Sequence, residues 1–165
     1  MVDFARRRRD QVTDVHVSRA TQDSLRLLRH DQRLRCIEVE VDVAPDVPDV
    51  RMVEDHLVHV LVNVLVNAAD AMPKGGKLTI RARRHERRVH IEVEDTGMGM
   101  TPEVLAEAHK PLFSTKGARG TGLGLPVSID VVKSVGGRLW LESEPNQGTR
   151  VHIELPAAGE EERDG

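Results

Sequence analysis

KLTIRARRHERRVHIEVEDTGMGM, residues 77–100, is the stretch on which the fold turns. On each side of a charged turn, apolar and polar residues alternate with a period of two. Residues 77–83 and 89–94 therefore read as the two strands of a hairpin with one buried face. The second strand runs directly into Asp95, Gly97 and Gly99. A carboxylate fixed at a strand end can accept a hydrogen bond from an exocyclic amine such as that of adenine, and the glycines let a flat base lie close to the backbone. An ordinary D-x-G turn would use the same letters.

Upstream of the hairpin, a helix is predicted from about residue 52 to 72, stopped by Pro73. Its apolar stripe is Val53, Leu57, Leu61, Val64, Leu65 and Ala68. Another face carries Asn63, Asn67 and Asp70, with His56 and His59 extending the row. Such oxygen-bearing side chains suit a hydrated Mg²⁺ that holds a triphosphate, or equally a satisfied amide network. Further upstream, Ile37, Val39, Val41 and Val43 alternate with acids and predict a half-buried strand ended by Pro45. Residues 14 to about 34 read as one helix, with Asp14 or Ser18 as its cap.

Downstream, Thr101 and Pro102 open a short helix. Residues 109–121 lack periodicity and read as a mobile loop containing KPLFSTKG, in which Phe113 could latch a lid. GARGTGLGL, residues 117–125, then feeds a helix from Leu125 to Val135. Bare backbone before a helix favours an anion. The letters fit neither a Walker loop nor a G-x-G-x-x-G fingerprint. Residues 138–142 and 149–155 form a closing hairpin, and AAGEEERDG reads as a disordered tail. The fold class is α+β: two layers, a mixed, mostly antiparallel sheet with helices on one face.

Composition narrows the function. The chain has 165 residues, 39% hydrophobic and 31% charged, with net charge −3, which suits one soluble domain. Neither that balance nor an aromatic content of 2% suits a nucleic-acid binder, and Arg6–Arg9 read as a solvated run. One cysteine, Cys36, fits a reducing cytoplasmic setting. The most apolar stretch is broken by His59, Asn63, Asn67 and Asp70, so it is not a membrane span, although a parent chain could be anchored elsewhere.

Taken in order, NVLVNAADAM, DTGMGM, KPLFSTK and GTGLGL resemble the N, first glycine, F and second glycine boxes of the GHKL ATP-binding family. Within it, the likeness is to the catalytic ATP-binding domain of sensor histidine kinases. GGRLWLESEPNQGTRVHIELP resembles that domain's closing hairpin.

The resemblance implies a two-layer GHKL sandwich with a flexible ATP lid, and ATP and Mg²⁺ as cofactors. It implies that Asn67 binds Mg²⁺ with Asn63 assisting and Asp70 nearby. Asp95 would read adenine, Gly97 and Gly99 would make room for it, and Thr149 would support that end through water. Lys116, Gly122 and Gly124 would face the phosphates from the lid, with Ser114, Thr115, Gly120, Thr121, Leu123 and Leu125 completing it. Asn63 and Lys116 are the catalytic candidates. Related ATPases and serine kinases carry a general-base glutamate where this chain has Asn63. An amide cannot take a proton, which disfavours hydrolysis and serine transfer, whereas neutral imidazole is already nucleophilic. His30-Asp31 imitates an acceptor motif, but its context is wrong.

The expected organisation is the end of a dimerisation hairpin and connector over residues 1–34, the catalytic domain over 35–157, and a tail over 158–165. The expected activity is transfer of the ATP γ-phosphoryl group to a histidine outside this chain. Its partners would be an acceptor-histidine dimerisation domain and, indirectly, a response regulator, with homodimerisation only in a longer parent. The alternatives are an anti-sigma-type serine kinase and a non-catalytic nucleotide-binding module.

Overall fold

The computed structural model describes residues 11–108 and 124–159. Five strands form the main sheet: β2 (Ile37–Val43), β4 (Gly76–His85), β5 (Arg88–Asp95), β7 (Thr149–Pro156) and β6 (Arg138–Ser143), in that spatial order. Only β2 and β4 run parallel; every other neighbour is antiparallel. A second, two-stranded sheet pairs β1 (Val12–Val15) with β3 (Val50–Val53). The helices are α1 (Val17–Leu27), α2 (Glu54–Asp70), α3 (Pro102–Glu107) and α4 (Gly124–Ser134).

The hairpin read from residues 77–94 is β4 and β5, with Ile80 opposite Val93 and Ala82 opposite Ile91. These side chains are buried beneath α2, whose Leu57, Leu61 and Leu65 are also buried. Glu54 and Asp55 occupy the first turn of α2, where carboxylates offset the helix dipole in place of a side-chain cap. At α3 the Thr101 hydroxyl accepts from the Val104 amide at 3.2 Å, with Pro102 in the first turn, as its letters predict.

Two elements differ from the sequence reading. The helix expected from residue 14 begins at Val17 and ends at Leu27, and Gln32–Leu34 is a separate turn of 3-10 helix. Neither expected cap operates: His16 occupies the cap position without a side-chain hydrogen bond. Asp14 belongs instead to β1, opposite Arg51. A four-residue strand beside a helix merges into the helical pattern, because its partner lies far along the chain. The same pairing delays the long helix to Glu54, since Met52 and Val53 belong to β3.

The other difference is β2, which is an edge strand with little cover. Val39 and Val41 are 37% and 43% exposed, so the alternation marks a strand but not a half-buried one. Within residues 1–34, expected as the end of a dimerisation hairpin and connector, Val15, Val17, Ala20 and Leu28 join the same core as the sheet.

Candidate nucleotide site

Three strand ends meet at one rung. Asp95 closes β5, Thr149 opens β7 opposite it, and Ser143 closes β6 opposite Thr149. Asp95 is only 5% exposed, and its Oδ1 accepts from the Gly97 amide at 2.9 Å and the Thr149 amide at 3.3 Å. Burial pushes its carboxyl above the usual range, and those two backbone donors pull the other way. The Ser143 hydroxyl lies 2.9 Å from the Thr149 hydroxyl, 2.9 Å from the Gly148 carbonyl and 2.9 Å from the Met100 amide.

The loop that follows Asp95 is held against the end of α2. The Met98 amide donates to the Ala71 carbonyl at 3.0 Å, and the Asn146 amide donates to the Met98 carbonyl at 2.7 Å. The Ala71 amide in turn donates to the Asn67 carbonyl. Asp95, Gly97, Ala71 and Asn67 thus form one continuous chain of contacts, so the acidic group and the asparagine helix border the same end of the sheet.

Gly97 and Gly99, expected to make room for a base, also lie against the protein's own backbone. A Cβ on Gly97 would lie 2.5 Å from the Ala71 carbonyl oxygen, and one on Gly99 would overlap the Glu144 carbonyl. Gly99 also has φ +67°, a conformation costly for other residues. These glycines allow that close approach of backbone to backbone.

Asn63, half-buried on α2, donates from Nδ2 to the Ser128 hydroxyl of α4 at 3.4 Å, and Gly124 packs over its side chain. Leu125 rests against the core. Asn67 is exposed. Asp70 accepts from Arg33 at 3.4 Å, and Arg33 is itself clamped by Asp31, whose carboxyl it lowers by hydrogen bonding. Arg33 thus puts a cation beside Asp70, which the helix pattern could not reveal. Ser128 and Ser143 are likewise invisible to spacing: Ser128 meets Asn63 from a helix 65 residues away, and Ser143 joins Gly148 and Thr149 of its own hairpin to the distant Met100 amide. Phe113, Ser114, Thr115, Lys116, Gly120, Thr121, Gly122 and Leu123 lie outside the described residues.

The donor chemistry fits a Mg²⁺ that comes with phosphate. Asparagine oxygens are hard, neutral ligands, and among the described residues no group of three or more His, Cys, Asp or Glu is placed to hold an ion by itself.

Residues 52–159 match the family described as histidine kinase-, DNA gyrase B- and HSP90-like ATPase. The chain belongs to this family. Among relatives of this ATPase domain, Sporulation kinase E of Bacillus subtilis (strain 168) is 36% identical over 143 residues, 86% of this chain and 19% of that protein. Sensor histidine kinase ZraS of Klebsiella oxytoca is 35% identical over 148 residues, 89% of this chain and 32% of that protein. The chain therefore spans less than a third of the length of these two relatives. The mycobacterial sensor histidine kinase MprB superposes with TM-score 0.76 at 29% identity, covering 90% of this chain and 97% of that one. Full-length ShkA in complex with AMPPNP superposes with TM-score 0.79 at 25% identity, covering 90% of this chain and 31% of that one. No helix among the described residues is long and apolar enough to cross a membrane.

Proposed function

We propose that this ATPase domain is the ATP-binding catalytic part of a sensor histidine kinase and delivers the γ-phosphoryl group of ATP to a histidine on a separate domain. The observation that carries this reading is the buried Asp95 at the strand end, tied through Gly97 and Ala71 to the helix bearing Asn63 and Asn67. ShkA, a neighbour in fold at 25% identity, is described with AMPPNP, an ATP analogue.

In this reading Asp95 accepts from the adenine amine while Thr149 supports the same edge. Asn67, with help from Asn63, would hold Mg²⁺, which neutralises phosphate charge when bound. Gly124 and Leu125 carry the start of α4 to Asn63, and Lys116 with its neighbours would meet the phosphates. The amide of Asn63 cannot take a proton from water, and an imidazole acceptor needs no such help. Transfer then rests on positioning and charge compensation. The histidine acceptor domain, a response regulator acting on its product, and dimerisation in a longer parent complete the proposed setting.

The test mixes this chain with a separately produced helical hairpin that carries an acceptor histidine, adds radiolabelled ATP, and probes the product chemically. Acid-labile, base-stable label on the hairpin is expected. ATP binding without such label on any hairpin supplied would count against the assignment.

A further inference from the structure

Ser143 makes three contacts with one hydrogen, which fixes the direction of each. A serine hydroxyl has one hydrogen to give and lone pairs to receive. The Gly148 carbonyl can only accept, so at 2.9 Å the Ser143 hydrogen goes there. The Met100 amide can only donate, so Ser143 oxygen receives at 2.9 Å. Its third contact is the Thr149 hydroxyl, also at 2.9 Å. With its own hydrogen committed, Ser143 must receive again, and Thr149 must be the donor.

The consequence reaches the other side of Thr149. Its hydrogen points to Ser143, so to a ligand its oxygen can offer only lone pairs. Beside it, Asp95 has only acceptor atoms when ionised, and no described residue donates to its Oδ2. We propose that Ser143 is a positioning residue for base specificity: by holding the Thr149 hydroxyl as a donor to itself, it makes the whole Asp95–Thr149 rung accepting, and so selects purines with an amine at position 6 over those with a carbonyl there. This rests on the reading of the site as an ATP site and adds the residue that sets its hydrogen-bond polarity. Ser143 does this from behind Thr149, through the rung Asp95, Thr149, Ser143 laid across β5, β7 and β6.

The decisive comparison is ATP against inosine triphosphate, which exchanges the 6-amine donor for an oxygen acceptor, puts a hydrogen on N1, and leaves sugar and phosphates alone; the 6-position facing Asp95 is where the two differ in the sense that matters here. Calorimetric titration of the whole chain is expected to show preference for ATP of about tenfold or more. Ser143→Ala frees the Thr149 hydrogen to turn toward the base, and the preference should fall about three- to tenfold, chiefly by better binding of inosine triphosphate. Ser143→Thr, which keeps the hydroxyl, should restore it. In a Thr149→Val background, Ser143→Ala should leave the remaining preference unchanged, an outcome that a loosened turn would not produce. Should Ser143→Ala fail to fold, Ser143→Cys, with its weaker hydrogen-bonding sulfur, should lower the preference in the same direction.

An unchanged preference in Ser143→Ala or Ser143→Cys, or an equal fall in the Thr149→Val background, overturns the proposal while the ATP site stands. Failure of the native chain to bind either nucleotide overturns the ATP reading and this inference with it.

Discussion

Asp95 holds a carboxylate with two backbone donors in a place that is 5% exposed, and the same features make it useful and costly. Because burial raises its pKa in the folded state, its ionised form is disfavoured there. The associated stability is fully present below the unfolded value and is lost as pH rises through the raised folded value. Asp95→Asn keeps an oxygen for the Gly97 and Thr149 amides but removes the charge. The variant should melt at or above the native temperature near neutral pH, and the gap should close as pH falls into the ordinary carboxylate range. ATP affinity should nevertheless drop by about tenfold to a hundredfold, the worth of a charged hydrogen bond of about 1.5–3 kcal/mol. Thermal melts and calorimetry on the same samples check both halves; a variant that binds normally or melts well below the native chain contradicts the assignment. Gly99→Ala should behave in the opposite way, costing at least about 1–2 kcal/mol from its positive φ, plus the encounter with the Glu144 carbonyl. Asp95 and Asn63 stand out in the sequence at a strand end and on a helix face, whereas Thr149 is singled out only by the family resemblance. Arg33, Ser128 and Ser143 stand out in neither way, because their meaning lies in hydrogen-bond partners that spacing does not reveal.

Among the strands, alternation predicts a strand but not its neighbours, and β2 is where that difference tells. Val41 stands opposite Ile80 in the parallel register, yet Val41 is 43% exposed and Ile80 1%. Ile80→Ala should therefore cost about 2–5 kcal/mol in urea unfolding. Val41→Ala should stay within about 1 kcal/mol. Equal losses would mean that β2 is covered. The outer face of the sheet offers a second prediction. His90, His152 and Trp140 stack with centroids 4.8–5.8 Å apart, and the ring nitrogens of the two histidines lie 2.9 Å from each other. Burial, and then the neighbouring His152, push the His90 pKa down. A histidine depressed on folding contributes stability above its unfolded pKa and loses it as pH falls through the lower folded value. Around it stand Arg83, Arg88, Glu92, Glu154, Trp140 and Arg138, with Glu142 Oε2 3.4 Å from His152 Nε2. Melting temperatures followed from about pH 7.5 to about pH 5 should fall less steeply for His90→Phe, which keeps a ring in the stack, than for the native chain. Parallel curves would remove His90 as the cause.

For the molecule as a whole, the order of the boxes was legible because each box is local, and their succession along the chain determines how strands and helices alternate. The edge of the unit was not legible, because it depends on where side chains end up in space. Residues 1–34 read as the end of a dimerisation hairpin and a connector; within them β1 supplies the antiparallel partner of β3, and α1 lays buried Val17, Ala20, Thr21 and Ser24 toward α2. The Ser24 hydroxyl lies 2.7 Å from the Ala20 carbonyl and 3.5 Å from the Val58 carbonyl of α2. Removing these elements would uncover Met52 and Leu57, both fully buried now, along the helix that carries Asn63 and Asn67. Each large apolar side chain so exposed or deleted removes about 1.5–3 kcal/mol, and a domain is stable by only about 5–15 kcal/mol in total. A chain starting at residue 35 should therefore lose cooperative thermal unfolding and ATP binding together, although every nucleotide-box residue remains. Circular dichroism melts and calorimetric titration of that truncated chain check this. Were it to melt cooperatively within a few degrees of the full chain, β1 and α1 would be the appendage that their letters suggest, and the catalytic unit would begin at β2.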